Sequence, residues 1–244
     1  MNALDNFFFG LYPYICLSVF FLGSLIRFDR DQYTWKSDSS QLLKAGQLRW
    51  GSNLFHVGVL FLFFGHSAGL LTPHFVYEHF TSAHDKQAMA MLSGGAFGVL
   101  GFIGTSLLLH RRLSEPRIRI NSKTSDIVLL VLLWLQFALG LATIPVSAQH
   151  MDGALMMKLG EWAQHIVTFR GGAAELLTDA SWIIKLHMLL GMSLFLVFPF
   201  TRLVHVWSGF GTLAYLVRPY QVVRSRRLNV PLGHNQPRRP DARV

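Results

Sequence analysis

The 244-residue chain is 51% hydrophobic and 14% charged, with a mean hydropathy of +0.36, which excludes an ordinary soluble domain and indicates an integral membrane protein. Its net charge of +9 is distributed by loop and not as one basic patch, so no nucleic-acid partner is expected. The single cysteine, Cys16, excludes a disulfide within the chain, covalent attachment of a c-type haem and a cysteine-ligated iron–sulfur cluster.

Five apolar segments are long enough to cross a bilayer, which takes roughly 20 helical residues. They cover residues 7–25, 55–71, 88–109, 127–146 and 183–206. The first has no Lys or Arg before it and no small-residue cleavage signature, so we expect a permanent helix and not a removable signal peptide. The predicted fold is all-α, an integral membrane bundle of five transmembrane helices.

Lys and Arg alternate in number from loop to loop. The first loop, the third loop and the C-terminal tail are rich in them, whereas the second loop has only Lys86 and the fourth has Lys158 and Arg170. The positive-inside rule therefore places the N-terminus outside and the C-terminus inside. Residues 1–223 are predicted to form one membrane domain, and residues 224–244 a basic, disordered cytoplasmic tail able to contact membrane lipids.

Two further patterns predict packing. The outer loop, residues 147–180, carries apolar residues at helical spacing, which predicts an amphipathic helix on the outer membrane surface, against the bundle or the bilayer. Glycines at positions 95, 98, 101 and 104 leave one side of the third helix nearly bare, which favours close approach of another helix over a flat cofactor face. Gly65 and Gly69, beside His66, permit the same two interpretations.

Four histidines lie inside the predicted spans, where polar side chains are costly and usually functional. They are His56 and His66 in the second span and His187 and His205 in the fifth. The predicted topology places His66 and His187 toward the outer face and His56 and His205 toward the inner face, so depth pairs them in that way. In continuous helices the spacing would be about 15 Å in the second span and about 27 Å in the fifth, with His187 and His205 on the same side of the helix. Helix tilt or side-chain reach is expected to absorb the difference.

Two neutral imidazoles that face each other across a bundle can supply both axial ligands of a haem iron, so two pairs predict two b-type haems. Two alternatives remain open at this point. Zinc would need a third or fourth ligand nearby, and a proton relay generally includes carboxylates; the predicted spans offer neither beside the histidines.

Long motifs around these residues are similar to the gamma subunit of membrane-bound respiratory nitrate reductase, a quinol-oxidising cytochrome b. The match runs from about residue 7 to residue 220. It is carried by FFFGLYPYI, QYTW, SNLFHVGVLFLFFGHSAGLLTPH, KQAMAMLSGGA, TIPVSAQHMDGALMMKL and IIKLHMLLGMSLFLVFPFTRLVH.

The resemblance implies specific roles for residues of this chain. The four axial haem ligands fall on His56, His66, His187 and His205, with His66 and His187 holding the outer haem. The quinol site beside the outer haem maps to Lys86, His66, Gly65 and Gly69.

It also implies the surroundings of the chain, a multi-pass subunit of the cell inner (cytoplasmic) membrane. Menaquinol or ubiquinol would be oxidised on the outer side. Electrons would pass inward to an iron–sulfur beta subunit and then to a molybdenum alpha subunit that reduces nitrate to nitrite.

Three points stay open in the sequence. Arg111, Arg112 and Arg202 are candidates to anchor inner haem propionates, with ordinary positive-inside charge as the alternative. The haem b subunit of another quinol-linked complex, of formate dehydrogenase or heterodisulfide-reductase type, is the second enzyme hypothesis. A transporter or assembly anchor with structural histidines is a third, and it predicts no haem.

Overall fold

The computed structural model describes residues 3–30, 45–149 and 151–208, and every regular element in those ranges is helical. The predicted all-α fold is therefore confirmed. The predicted tail, residues 224–244, and most of the first loop lie outside the described residues.

Six longer helices form most of the described part of the chain. They are α1 (Ala3–Arg30, with a π-helical turn at Phe7–Leu11), α2 (Ala45–Leu71), α3 (Ala83–Ser114), α4 (Thr124–Ala148), α5 (Ala154–Val167) and α6 (Trp182–Val197). Short helices occupy His74–Tyr77 and Pro116–Ile120, and 3₁₀ turns occupy Ala173–Leu177, Phe198–Phe200 and Arg202–Val204. In the described part of the chain, five segments are long and apolar enough to span a membrane: α1 to α4, and α6 with its first 3₁₀ turn.

The first four spans extend past the predicted apolar windows, because a helix can continue into polar sequence where its terminal main-chain groups find hydrogen-bond partners. Ser82 illustrates this at the start of α3, where its hydroxyl accepts a hydrogen bond from the main-chain nitrogen of Asp85 at 3.1 Å. Such an N-cap satisfies a donor that the first helical turn would otherwise leave unpaired. At the other end of α3, Pro116 begins the next short helix.

The fifth span differs from its prediction. The α-helix ends at Val197, whereas a continuous helix was expected to residue 206. Pro199 lacks an N–H group and its ring would clash with the carbonyl four residues earlier, which favours the end of the α-helix at this point. Thr201 is extended (φ −118°, ψ 178°) between the two 3₁₀ turns. The prediction that His187 and His205 lie on the same side of one helix assumed a continuous helix, and that assumption was wrong.

The glycines of α3 serve helix packing, as favoured. A β-carbon at Gly98 would come within 2.9 Å of Leu141, and one at Gly101 would overlap the ring of Phe137. Where α2 crosses α3, a β-carbon at Gly58 would lie 2.6 Å from the α-carbon of Gly101. The two backbones touch at this crossing, which leaves no room for a cofactor there.

The amphipathic helix α5 packs onto the bundle. Trp162 and Ile166 are buried in one cluster with Phe9 of α1 and Leu177 of the following 3₁₀ turn. The indole nitrogen of Trp162 also donates a hydrogen bond to the carbonyl of Phe9 at 2.9 Å. Of the two surfaces considered for this helix, the protein bundle is the one it covers.

Neighbouring spans follow the order α2, α3, α4, α6, α1. Within the described residues α2 and α6 share hardly any close main-chain contact, and only 6% of the most apolar window of α2 is buried within the chain. The gap between α2 and α6 is where the four histidines lie.

Candidate haem and quinol sites

The structure brings the four span histidines together as two pairs across the α2–α6 gap. In the first pair, the ring centroids of His66 and His187 are 6.3 Å apart with the rings inclined by 47°. In the second pair, His56 and His205 also have centroids 6.3 Å apart, at 73°. The pairing is the one that depth in the membrane predicted.

The break after Val197 changes the spacing on which the sequence prediction was based. Ten residues of continuous helix separate His56 from His66, whereas the chain between His187 and His205 includes two 3₁₀ turns and an extended residue. The distance of about 27 Å for a continuous fifth helix therefore does not apply to His187 and His205.

The separation of the rings fits two imidazoles bound to opposite sides of one metal ion. An imidazole nitrogen binds a metal ion at about 2.0 Å, and the centre of each ring lies roughly an ångström beyond its nitrogen, so two rings on opposite sides of one ion have centroids about 6 Å apart. The centroids of both pairs are 6.3 Å apart. Each pair could therefore supply two imidazole ligands to one haem iron, whose other four ligands belong to the porphyrin.

Three of the four rings are already oriented by main-chain carbonyls. The Nδ1 atoms of His56, His66 and His205 lie 2.7 Å from the carbonyl oxygen of Ser52, 2.8 Å from that of Leu62 and 2.6 Å from that of Arg202. Since a carbonyl can only accept, each Nδ1 carries the proton and donates it. Nε2 is then the lone-pair nitrogen, the arrangement found in histidines that bind metals.

His187 is held differently. Its Nδ1 is buried and makes no well-formed hydrogen bond with the described residues, although the ring interacts with the main chain of Gln136 in α4. The ring rests on Gly140, whose β-carbon, if present, would lie 3.1 Å from Cε1. A neighbouring helix therefore seats this ring, a contact that the sequence pattern did not reveal.

Zinc is disfavoured by the donor set. In the described part of the chain, no cluster of three or more His, Cys, Asp or Glu side chains could hold a metal ion. A structural zinc site needs four ligands and a catalytic one three. Each histidine pair supplies two, so of the metal hypotheses the haem is the one that fits.

The residues of the implied quinol site lie at the first-pair end of the molecule but do not form one contact cluster. α2 and α3 cross at Gly58 and Gly101. Measured along the helix axes from that crossing, Lys86 on α3 is about 10 Å farther away than His66 on α2. The Lys86 ammonium is 3.5 Å from the centre of the Tyr77 ring, a cation–π contact. At Gly65 and Gly69 a β-carbon would meet nothing within 4 Å among the described residues, so these glycines leave open space and do not pack against a helix.

A carboxylate missed by the sequence analysis lies at the second-pair end. Asp126 is buried; it accepts a hydrogen bond from Arg112 at 3.4 Å and forms an ion pair with Arg202 at 3.3 Å. It stands one residue before the predicted fourth span, so it was not among the polar residues identified within the spans. Two of the three arginines considered for haem propionates thus share a protein carboxylate, while Arg111 is buried near them on α3.

Comparison with known proteins gives a consistent family. A model of the nitrate reductase gamma subunit matches residues 5–226. The chain is 55% identical over 228 residues to the respiratory nitrate reductase 2 gamma chain of Escherichia coli, covering 93% of this chain and 100% of that one. The respiratory nitrate reductase 1 gamma chain of the same organism is 54% identical over 226 residues, with the same coverage. The nitrate reductase gamma chain of Bacillus subtilis is 38% identical over 218 residues, covering 89% of this chain and 96% of its own length.

Proposed function

Because the chain belongs to the nitrate reductase gamma subunit family, we propose that it is the quinol-oxidising, dihaem b subunit of its complex. At the level of the family, it is a multi-pass inner-membrane subunit of a respiratory nitrate reductase, an oxidoreductase that contains further subunits. Family membership favours a nitrate reductase complex over the formate dehydrogenase and heterodisulfide-reductase types.

The observation that carries the proposal is the geometry of the two histidine pairs. His66 with His187 and His56 with His205 each have ring centroids 6.3 Å apart, a separation that would suit two imidazoles bound to one iron. α2 and α6 share hardly any close main-chain contact within the described residues, so these two helices do not pack directly against each other beside the pairs. When bound, two haems would supply one-electron transfer between the two sides of the membrane.

The proposed direction starts from the first pair. Lys86, His66 and the open backbone at Gly65 and Gly69 provide the quinol site, where an ammonium group can donate a hydrogen bond to a quinol oxygen. Quinol oxidation yields quinone, two protons and two electrons. Moving each electron inward against a negative-inside potential costs about 2.3 kcal/mol per 100 mV, so the redox drop to the acceptor must supply that energy.

The second-pair end faces the partners in this proposal. Arg111, Arg112 and Arg202 lie there, in agreement with the inner side that the positive-inside rule assigns. An iron–sulfur beta subunit and a molybdenum alpha subunit would receive the electrons and reduce nitrate to nitrite, since this chain supplies ligands for neither cofactor.

A reduced-minus-oxidised spectrum with a haem count tests the proposal on the full chain in membranes. The expected result is two b haems per chain, falling to one in His187→Ala and to one in His205→Ala. His74→Ala is the matched control, since His74 is an exposed histidine bound to Glu78 at 2.8 Å outside the pairs, and it should retain both. A chain that binds no haem under haem-replete expression would overturn the proposal.

A further inference from the structure

The interruption of the helix before His205 decides where that imidazole points. His205 follows directly on the 3₁₀ turn Arg202–Val204, and its Nδ1 donates to the carbonyl of Arg202, the first residue of that turn. Thr201 begins the turn, and its hydroxyl accepts from the main-chain nitrogen of Leu203 at 3.3 Å. The orientation of His205 therefore depends on how the segment 198–204 is held.

One side chain of α1 holds this segment. An Nη1 atom of Arg27 donates to the carbonyl of Pro199 at 2.6 Å and to the carbonyl of Thr201 at 2.9 Å. These carbonyls lie at the broken end of the helix, where the regular pattern of main-chain hydrogen bonds stops. A guanidinium is suited to them because it is always charged, carries five donors in a rigid fork and accepts nothing.

The same face of α1 is shaped to receive the break. Gly23 stands one turn before Arg27, and a β-carbon there would lie 2.8 Å from the ring of Pro199. One position further back along this face, the ring of Phe20 meets that of Phe198 with centroids 4.8 Å apart. Phe20, Gly23 and Arg27 follow the spacing of three and four residues that defines one helical face. α1 contributes no histidine to either pair, yet it fixes the path of the chain to His205.

We propose that Arg27 is a positioning residue for the second histidine pair: by bonding the carbonyls of Pro199 and Thr201, it fixes the break that aims His205 at His56. The inference rests on the proposed haem ligation and goes beyond it, because Arg27 lies outside both pairs. It predicts a selective effect. The second site depends on Arg27, whereas His66 and His187 lie on continuous helices and do not.

Two single-site backgrounds make the test specific. His187→Ala leaves only the second site able to bind haem with two imidazoles, and His205→Ala leaves only the first. Arg27→Met, close in length but without donors, is introduced into each background in the full chain, in membranes. Haem content, the low-spin absorption bands and the midpoint potential are measured.

In the His187→Ala background, Arg27→Met is expected to weaken haem retention about tenfold, the range for loss of a group that orients a metal ligand, with loss of the low-spin bands. In the His205→Ala background it should change none of the three measurements. Arg27→Lys, which can still donate to a carbonyl, should restore much of the second-site signal. Arg30→Met is the control, because Arg30 is exposed on the same helix, and it should leave both backgrounds unaltered.

Equal loss in both backgrounds would overturn the inference, since it would show a general folding effect. An unchanged second site in Arg27→Met would overturn it as well. Both results differ from failure of the proposed function, which would appear in the parent chain as an absence of bound haem.

Discussion

Gly140 lies directly beneath the imidazole of His187: an added β-carbon would be 3.1 Å from Cε1 and 3.6 Å from Nδ1. The contact joins α4 to the first histidine pair, across 47 residues of sequence. An added β-carbon at that distance would be closer than an ordinary van der Waals contact, so the ring would have to shift by a few tenths of an ångström to admit it.

Gly140→Val is therefore expected to displace His187 and impair the first haem site. Overpacking of this kind costs about 1–3 kcal/mol, which corresponds to roughly a 5- to 150-fold loss of haem affinity. The measurement is haem content and midpoint potential in the His205→Ala background, where only the first site remains. Gly46→Ala, at a glycine with open space around it among the described residues, should leave both values unchanged, and an intact first site in Gly140→Val would contradict the role of this contact.

The sequence predicted the pairs but not what orients them. Histidines within apolar spans stand out locally, because a polar residue in such a span is unusual whatever surrounds it. The supports of these histidines, such as Gly140 and Arg27, are unremarkable in their own segments and acquire meaning only from contacts with distant residues. The break at Pro199 was visible as a proline, but proline within a transmembrane helix is often tolerated, so the sequence did not decide between a kink and an end.

Lys86→Ala is expected to slow quinol oxidation while both haems stay bound. Loss of one charge-assisted hydrogen bond removes about 1.5–3 kcal/mol, which predicts a reduction of about 10- to 150-fold in kcat/KM for quinol. Steady-state oxidation of a quinol analogue by membranes, with a haem count on the same preparation, measures both effects. Lys158→Ala is the matched control, since Lys158 is bound to Asp179 on the surface at 3.2 Å. Normal quinol kinetics in Lys86→Ala would remove this residue from the proposed site.

The proposed orientation in the membrane can be checked with single cysteines, because Cys16 is the sole cysteine of the chain. In a Cys16→Ser background, Arg170→Cys is placed in the segment predicted outside and Arg119→Cys in the segment predicted inside; both arginines are exposed. A membrane-impermeant thiol reagent added to intact spheroplasts should label the first variant. The second should be labelled only after detergent opens the membrane. The reverse pattern would place the first histidine pair inside and invert the proposed electron path.

Asp126→Asn is expected to destabilise the second-pair end, because Asp126 forms ion pairs with both Arg112 and Arg202. Its side chain is 12% exposed, and those of the two arginines are 12% and 23% exposed. Removing one partner of a buried ion pair costs about 3–5 kcal/mol; partial exposure reduces this to about 2–3 kcal/mol. Thermal unfolding of the purified full chain measures the effect.

Asp179→Asn breaks an ion pair whose side chains are 46% and 81% exposed, so it should cost less than about 1 kcal/mol. If both variants unfold at the same temperature, Asp126 does not hold the two guanidinium groups together. Their charges must then be balanced by another acceptor, and a haem propionate is the chemically matched group.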